Sequence, residues 1–128
     1  MATRCRVGIL NEDLSVQSMY VHWDGYPEYT GKVLLERYDN PHVVQNLVEG
    51  GYLSAVSDAT PGGREPLALR GNDLDDRALL HPLDAWPDTG QDWEYCYNPG
   101  LGEWSFRKTY GEDTAWRSLR QFLRRESP

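Results

Sequence analysis

One short run of the chain crowds together His22, Trp23, Asp24, Tyr26, Glu28, Tyr29 and Lys32, threaded on Gly25, Pro27 and Gly31. A histidine beside carboxylates can move protons. His22 as general base, oriented by Asp24 or Glu28, is the acid–base pair that a small enzyme would use. The same run also suits binding. Trp23, Tyr26 and Tyr29 offer flat contact area with polar tips, and Lys32 beside a helix start favours an anionic group. A third reading makes the run a folding device, in which Asp24 caps, Gly25 turns, Pro27 opens a helix and the tyrosines pack. Function would then lie on the acidic middle of the chain or in an oligomer interface.

Several chemistries are excluded by spacing. A phosphate loop needs GxxxxGK followed by Ser or Thr, but five residues separate Gly25 from Gly31, Pro27 lacks an N–H, and Val33 replaces the hydroxyl. The three histidines, 22, 42 and 81, show neither HxH nor HExxH spacing, so no zinc site is expected. Asp73, Asp75 and Asp76 miss the calcium-loop pattern. There is no Gly-x-Ser-x-Gly elbow, and Cys5 and Cys96 both fall inside strand-like segments, which argues for core thiols rather than nucleophiles. No cofactor and no metal are expected.

These residues need elements to hold them. Residues 4–10 alternate, with Cys5, Val7 and Ile9 on one face and Arg4, Arg6 and Gly8 on the other, the period of a half-buried strand. Asn11 to Ser15 is turn chemistry, and Val16 to Trp23 resumes the alternation, completing a hairpin. Pro27 suits a first helical turn, and the helix is expected to run to about Tyr38, where Asp39-Asn40-Pro41 stops it. A second helix is expected at about 41–49. Trp93 to Asn98 and Trp104 to Thr109 form a second hairpin around Asn98-Pro99-Gly100. A last helix is expected from near Asp113, with Trp116, Leu119, Phe122 and Leu123 as its stripe. The aromatic set on the second hairpin is better explained by packing on that helix than by base stacking. The order is ββαα, a long loop, then ββα: an α+β fold with an antiparallel sheet of about four strands and helices on one face.

The length fits a single domain over 1–128, with a Pro/Gly/Asp-rich excursion at about 57–91 that Trp86 and Leu79-Leu80 should anchor. The formal net charge is -7. That argues against nucleic acid as a partner, because phosphate binding needs clustered Lys and Arg. Residues 58–103 hold ten carboxylates against three arginines, while 104–128 hold six basic residues against three acidic ones. Arg117, Arg120 and Arg124 read as a solvated face or as ion-pair partners of the acidic segment. Mimicry of nucleic acid would want carboxylates in regular rows, which are absent. No apolar stretch is long enough to span a bilayer, no signal peptide precedes the first strand, and two cysteines without a CxxC suit a reducing cytoplasm.

Met19 to Tyr38 resembles a group of small proteins encoded by bacteriophages and prophages. The likeness is carried by His22-Trp23-Asp24-Gly25-Tyr26-Pro27-Glu28 followed by Gly31-Lys32, Leu34-Leu35-Glu36 and Tyr38. The strand and Asn11-Glu12-Asp13 turn of residues 3–13 fit the same group. That group has no assigned activity, so the resemblance implies an origin: host takeover or counter-defence in the cytoplasm of a bacterial host. The expected partner is a host protein or an anionic small molecule, with no membrane role and with homo-oligomerisation left open. Ligand or partner contacts are expected at His22, Trp23, Asp24, Tyr26, Glu28, Tyr29 and Lys32.

Overall fold

The alternating segments do pair as hairpins, but the sheet they build is larger and of mixed sense. A computed structural model describes residues 3–53 and 77–126, and its fold is α+β. Among the described residues six strands form one sheet: β1 (Cys5–Leu10), β2 (Ser15–Val21), β3 (Leu79–Pro82), β4 (Trp93–Asn98), β5 (Glu103–Lys108) and β6 (Arg117–Ser118). Their order is β3-β2-β1-β4-β5-β6. The β1–β2 and β4–β5 hairpins are antiparallel, whereas β1 and β4 pair in parallel, with Val7 opposite Tyr95. The expected four-stranded antiparallel sheet is corrected on both counts. The physical reason is the long crossover between the hairpins, which carries the chain back far enough for two first strands to lie side by side.

The outer edge of β2 is covered twice. Its first half pairs with β3, Ser18 opposite Leu79, and Val21 bridges to Leu53. Covering an edge this way removes a row of unpaired backbone groups.

Among the described residues there are three α-helices. The expected single helix over 27–38 is a π-helical turn, Pro27–Gly31, running into α1 (Lys32–Arg37). The second, α2 (Pro41–Glu49), starts as its sequence requires, with Asn40 Oδ1 accepting the Val43 N–H at 3.0 Å. The last, α3, covers Leu119–Glu126, not a helix from Asp113. Trp116 belongs to the opposite side of the sheet, where its ring meets that of Trp86 tilted at 5.7 Å, so it cannot share a helical stripe with Leu119 and Phe122. Ser118 instead opens α3, its hydroxyl accepting the Gln121 N–H at 3.3 Å.

One sheet face, bearing Cys5, Val7, Ile9, Met19, Val21, Tyr95, Tyr97, Trp104 and Phe106, packs on Leu34, Tyr38, Val44, Leu47, Val48 and Leu119. Phe106 also meets Phe122 edge-on at 5.0 Å, as expected of aromatics packed on the last helix. Each fully buried aliphatic or aromatic side chain there contributes about 1.5–3 kcal/mol.

The opposite face is not solvent-facing, as simple alternation suggests. A strap over residues 83–91 crosses it, and Trp86 lies where Gly8 has no side chain: a Cβ there would stand 3.0 Å from the Trp86 ring. Trp86 is packed as expected, but Leu79 and Leu80 are exposed along the edge strand. The Asp73–Asp76 cluster and most of the acidic excursion lie outside the described residues.

Candidate functional site

At Val21 the chain leaves the sheet, and the His22–Lys32 run forms a corner beside the start of β1. The Gly25 N–H donates to the Thr3 carbonyl at 2.8 Å, and the Gly25 carbonyl accepts the Tyr95 hydroxyl at 2.7 Å. A Cβ at Gly25 would stand 2.9 Å from Cys5 Cβ and from the Arg4 carbonyl carbon, so only glycine fits against β1. Asp24 reaches this turn at a φ of 57°, and its carbonyl accepts the Thr30 hydroxyl at 2.6 Å. The expected cap role of Asp24 is therefore corrected. Tyr26 occupies the position before the first helical turn, without a side-chain cap, and its carbonyl accepts the Tyr29 and Thr30 N–H groups. Gly31 completes the frame, because a Cβ there would meet Leu119 Cδ1 at 2.8 Å.

On this fixed frame the side chains divide. His22 Nδ1 lies 2.9 Å from the Tyr20 hydroxyl, and the His22 ring meets Trp23 edge-on at 4.7 Å. Trp23 is 47% and Tyr26 38% exposed. The Tyr26 and Tyr29 rings are 6.1 Å apart, and Glu28 and Lys32 face solvent. Among the described residues, His22 makes no hydrogen bond to Asp24 or Glu28; Tyr20 is its orienting partner.

A second cluster lies under the strap, and sequence reasoning did not single it out. Arg6 Nε donates to Ser18 Oγ at 2.9 Å and Arg6 Nη2 to the Ser18 carbonyl at 2.9 Å. Ser18 Oγ lies 2.7 Å from His81 Nε2, and His81 Nδ1 lies 2.9 Å from the Pro82 carbonyl. The carbonyl can only accept, so Nδ1 carries the proton and Nε2 accepts from the Ser18 hydroxyl. Glu94 takes Arg107 Nε at 2.7 Å and Gln91 Nε2 at 2.9 Å, while Gln91 Oε1 accepts the Thr89 N–H and hydroxyl. Arg6, Ser18, His81, Gln91 and Glu94 are all buried.

Burial governs the titration of this cluster. It pushes the Arg6 guanidinium down to about 10, with Glu94 opposing, and lowers His81 below its usual range. It raises the Cys5 thiol far above its ordinary range and pushes the Cys96 thiol up to about 12, so both are inert core thiols. A serine hydrogen-bonded to a histidine would suggest nucleophilic chemistry, but Ser18 is fully buried and no substrate reaches it. The signal for this cluster was present as Arg6, Ser18 and Glu94 on the non-apolar face of their strands. Alternation assigned that face to water.

Arg117 also finds partners. Arg117 lies over the Phe106 ring at 5.0 Å and the Phe122 ring at 4.9 Å, so it is a packing residue as well as a charge. Among the described residues no group of His, Cys, Asp or Glu is disposed to hold a metal ion, and no helix is long and apolar enough to cross a membrane.

Comparison with protein-family models, with curated proteins and with solved structures finds no match. The functional reading accordingly rests on the geometry of the corner.

Proposed function

We propose that the protein is an accessory protein of phage origin that acts by binding, gripping a host protein or sequestering an anionic small molecule at the His22–Lys32 corner. The observation that carries this reading is the pairing of a fixed backbone with exposed rings. A Cβ at Gly25 would strike Cys5 and the Arg4 backbone, so the turn sits tight against β1, yet Trp23 and Tyr26 stand out into solvent. Exposed aromatics on a rigid frame lose little entropy when a partner covers them, which is what makes such residues binding anchors. Lys32 adds a positive charge on an acidic protein. The test is capture of a partner from host lysate by the wild type and by a Trp23→Ala/Tyr26→Ala variant whose thermal melting matches it. The double variant should lose the partner; retention of the same partner would overturn the assignment to this corner.

A small enzyme is the second reading, and the Tyr20–His22 hydrogen bond is what favours it, since an oriented imidazole is the first requirement of a general base. A His22 that titrates by NMR like a histidine in an unfolded peptide would sink it.

A further inference from the structure

We propose that Arg4, Tyr20 and His22 form a cradle for a small oxyanion, a phosphate or a carboxylate group, on the strap side of the corner. Arg6 pairs with Tyr20, and Arg4 and His22 are the residues that alternation puts on that same face at the ends of the two strands. The Arg4 charge acts on the Tyr20 hydroxyl, and that hydroxyl is hydrogen-bonded to His22.

Arg4 is the anomaly. Its Nε is buried and has no hydrogen-bond partner, an arrangement that costs more for a charged donor than for a neutral one. The nearby carboxylate, Asp92, turns Oδ2 to the Arg4 backbone N–H at 3.1 Å. Among the described residues no carboxylate closes an ion pair with the guanidinium. The strap lies close over it. Gly90 passes over it at a φ of 75°, and a Cβ there would stand 3.2 Å from Arg4 Nη1.

The Tyr20–His22 pair completes the donor set in either proton arrangement. If the hydroxyl donates to Nδ1, the imidazole keeps Nε2–H as a donor; if Nδ1 donates, the hydroxyl proton is free. A guanidinium fork beside one such donor matches the geometry of phosphate and carboxylate. Tyr52, stacked on Tyr20 at 5.8 Å, and Trp23, edge-on to His22, provide ring surfaces for a planar group attached to the anion. The inference rests on the corner being a binding surface, and it names the ligand class.

The test is an NMR titration of the full chain with inorganic phosphate, with acetate and with adenosine 5′-monophosphate, read at the Arg4 Nε–H and the His22 ring. Saturable shifts with a Kd of about 1 mM for phosphate or acetate are expected of one charge-assisted fork. The nucleotide should bind about tenfold tighter through its ring. Response to phosphate alone assigns a phosphate ligand, and response to acetate alone a carboxylate. Arg4→Met should abolish the response, and Tyr20→Phe, which keeps the ring, should weaken it even if the arginine variant fails to fold. Shifts that stay linear with concentration, or a response unchanged in both variants, would overturn the cradle. So would an Arg4 Nε–H already locked on Asp92 in the free protein and released by Asp92→Asn. Loss of the anion response with capture through Trp23 and Tyr26 intact removes the cradle and leaves the binding reading standing. Loss of capture with a sound anion response does the reverse.

Discussion

The two faces of the sheet are both buried, yet they are built from opposite materials. The helix side is apolar and aromatic, held by Tyr95, Phe106, Leu34, Leu47 and Leu119. The strap side is a hydrogen-bonded web of Arg6, Ser18, His81, Gln91 and Glu94 under the Trp86 indole. Apolar packing is forgiving of partner, because area is what counts. A polar web holds only when every donor meets its acceptor, so it fixes one position for the strap and penalises any other. The helices are thus held by bulk, and the strap by matching.

The largest way to break that contrast is Phe106→Ala. It removes a ring shared by Tyr95, Phe122 and Arg117, and should cost about 3–5 kcal/mol in chemical denaturation. A loss below about 1 kcal/mol would mean that the helix side is loosely packed. Next comes Glu94→Ala, which takes the carboxylate from Arg107 and from buried Arg6 and one acceptor from Gln91, and should cost about 2–3 kcal/mol. The matched replacement Glu94→Met with Arg107→Met should recover part of that loss, because Arg107 is then no longer left alone while buried Arg6 still lacks its carboxylate. If the double variant is as unstable as the single one, the polar web is itself a main source of stability and the contrast fails.

A subtler probe uses acid. Burial lowers the His81 pKa below its unfolded value of 6.5, so between the two values the unfolded chain binds more protons than the folded one. The stability from neutral His81 is present above 6.5 and is lost as the pH falls through that value toward the folded pKa. Protonation would place a second cation beside Arg6 and take away the acceptor of the Ser18 hydroxyl. Denaturation at pH 7.5 and 5.5 should show this loss in the wild type and a smaller one in His81→Gln, the difference not exceeding about 1.4 kcal/mol per pH unit. Equal slopes would remove His81 as the acid-sensitive joint. The smallest effect is expected at Ser118→Ala, about 1 kcal/mol for the lost cap of α3, read by thermal melting.

How much of this was legible in the sequence follows the same divide. Period-2 alternation located both hairpins, and Cys5, Val7, Ile9 and Trp104 are core residues as their pattern requires. The parallel pairing of β1 with β4 was not legible, since no local signal distinguishes which strands of two hairpins will meet. β3 and β6 are too short to show a period, and they exist because β2 and β5 offer edges to them. The start of α3 was legible and overlooked. Ser118 followed three residues later by Gln121 is a capping signature, and the spacing of Trp116 obscured it. At the corner, the crowding of His22 to Lys32 marked a place of unusual constraint. Of the residues that answer it, Tyr20 stands two positions before His22, whereas Arg4 and Tyr95 lie on other segments and only the fold brings them near.

Cys5 and Cys96 sit on opposite sides of the sheet, one beneath the helices and one beneath the strap beside Leu83 and Trp116. Each thiol is therefore a stopwatch for its own cover. A thiol-specific reagent added to the folded protein would mark Cys5 at the rate at which the helix layer lifts, and Cys96 at the rate at which the strap does. Two equal rates would describe a molecule that opens only as a whole. A faster Cys96 would describe one that lifts a single flap while its other half stays shut.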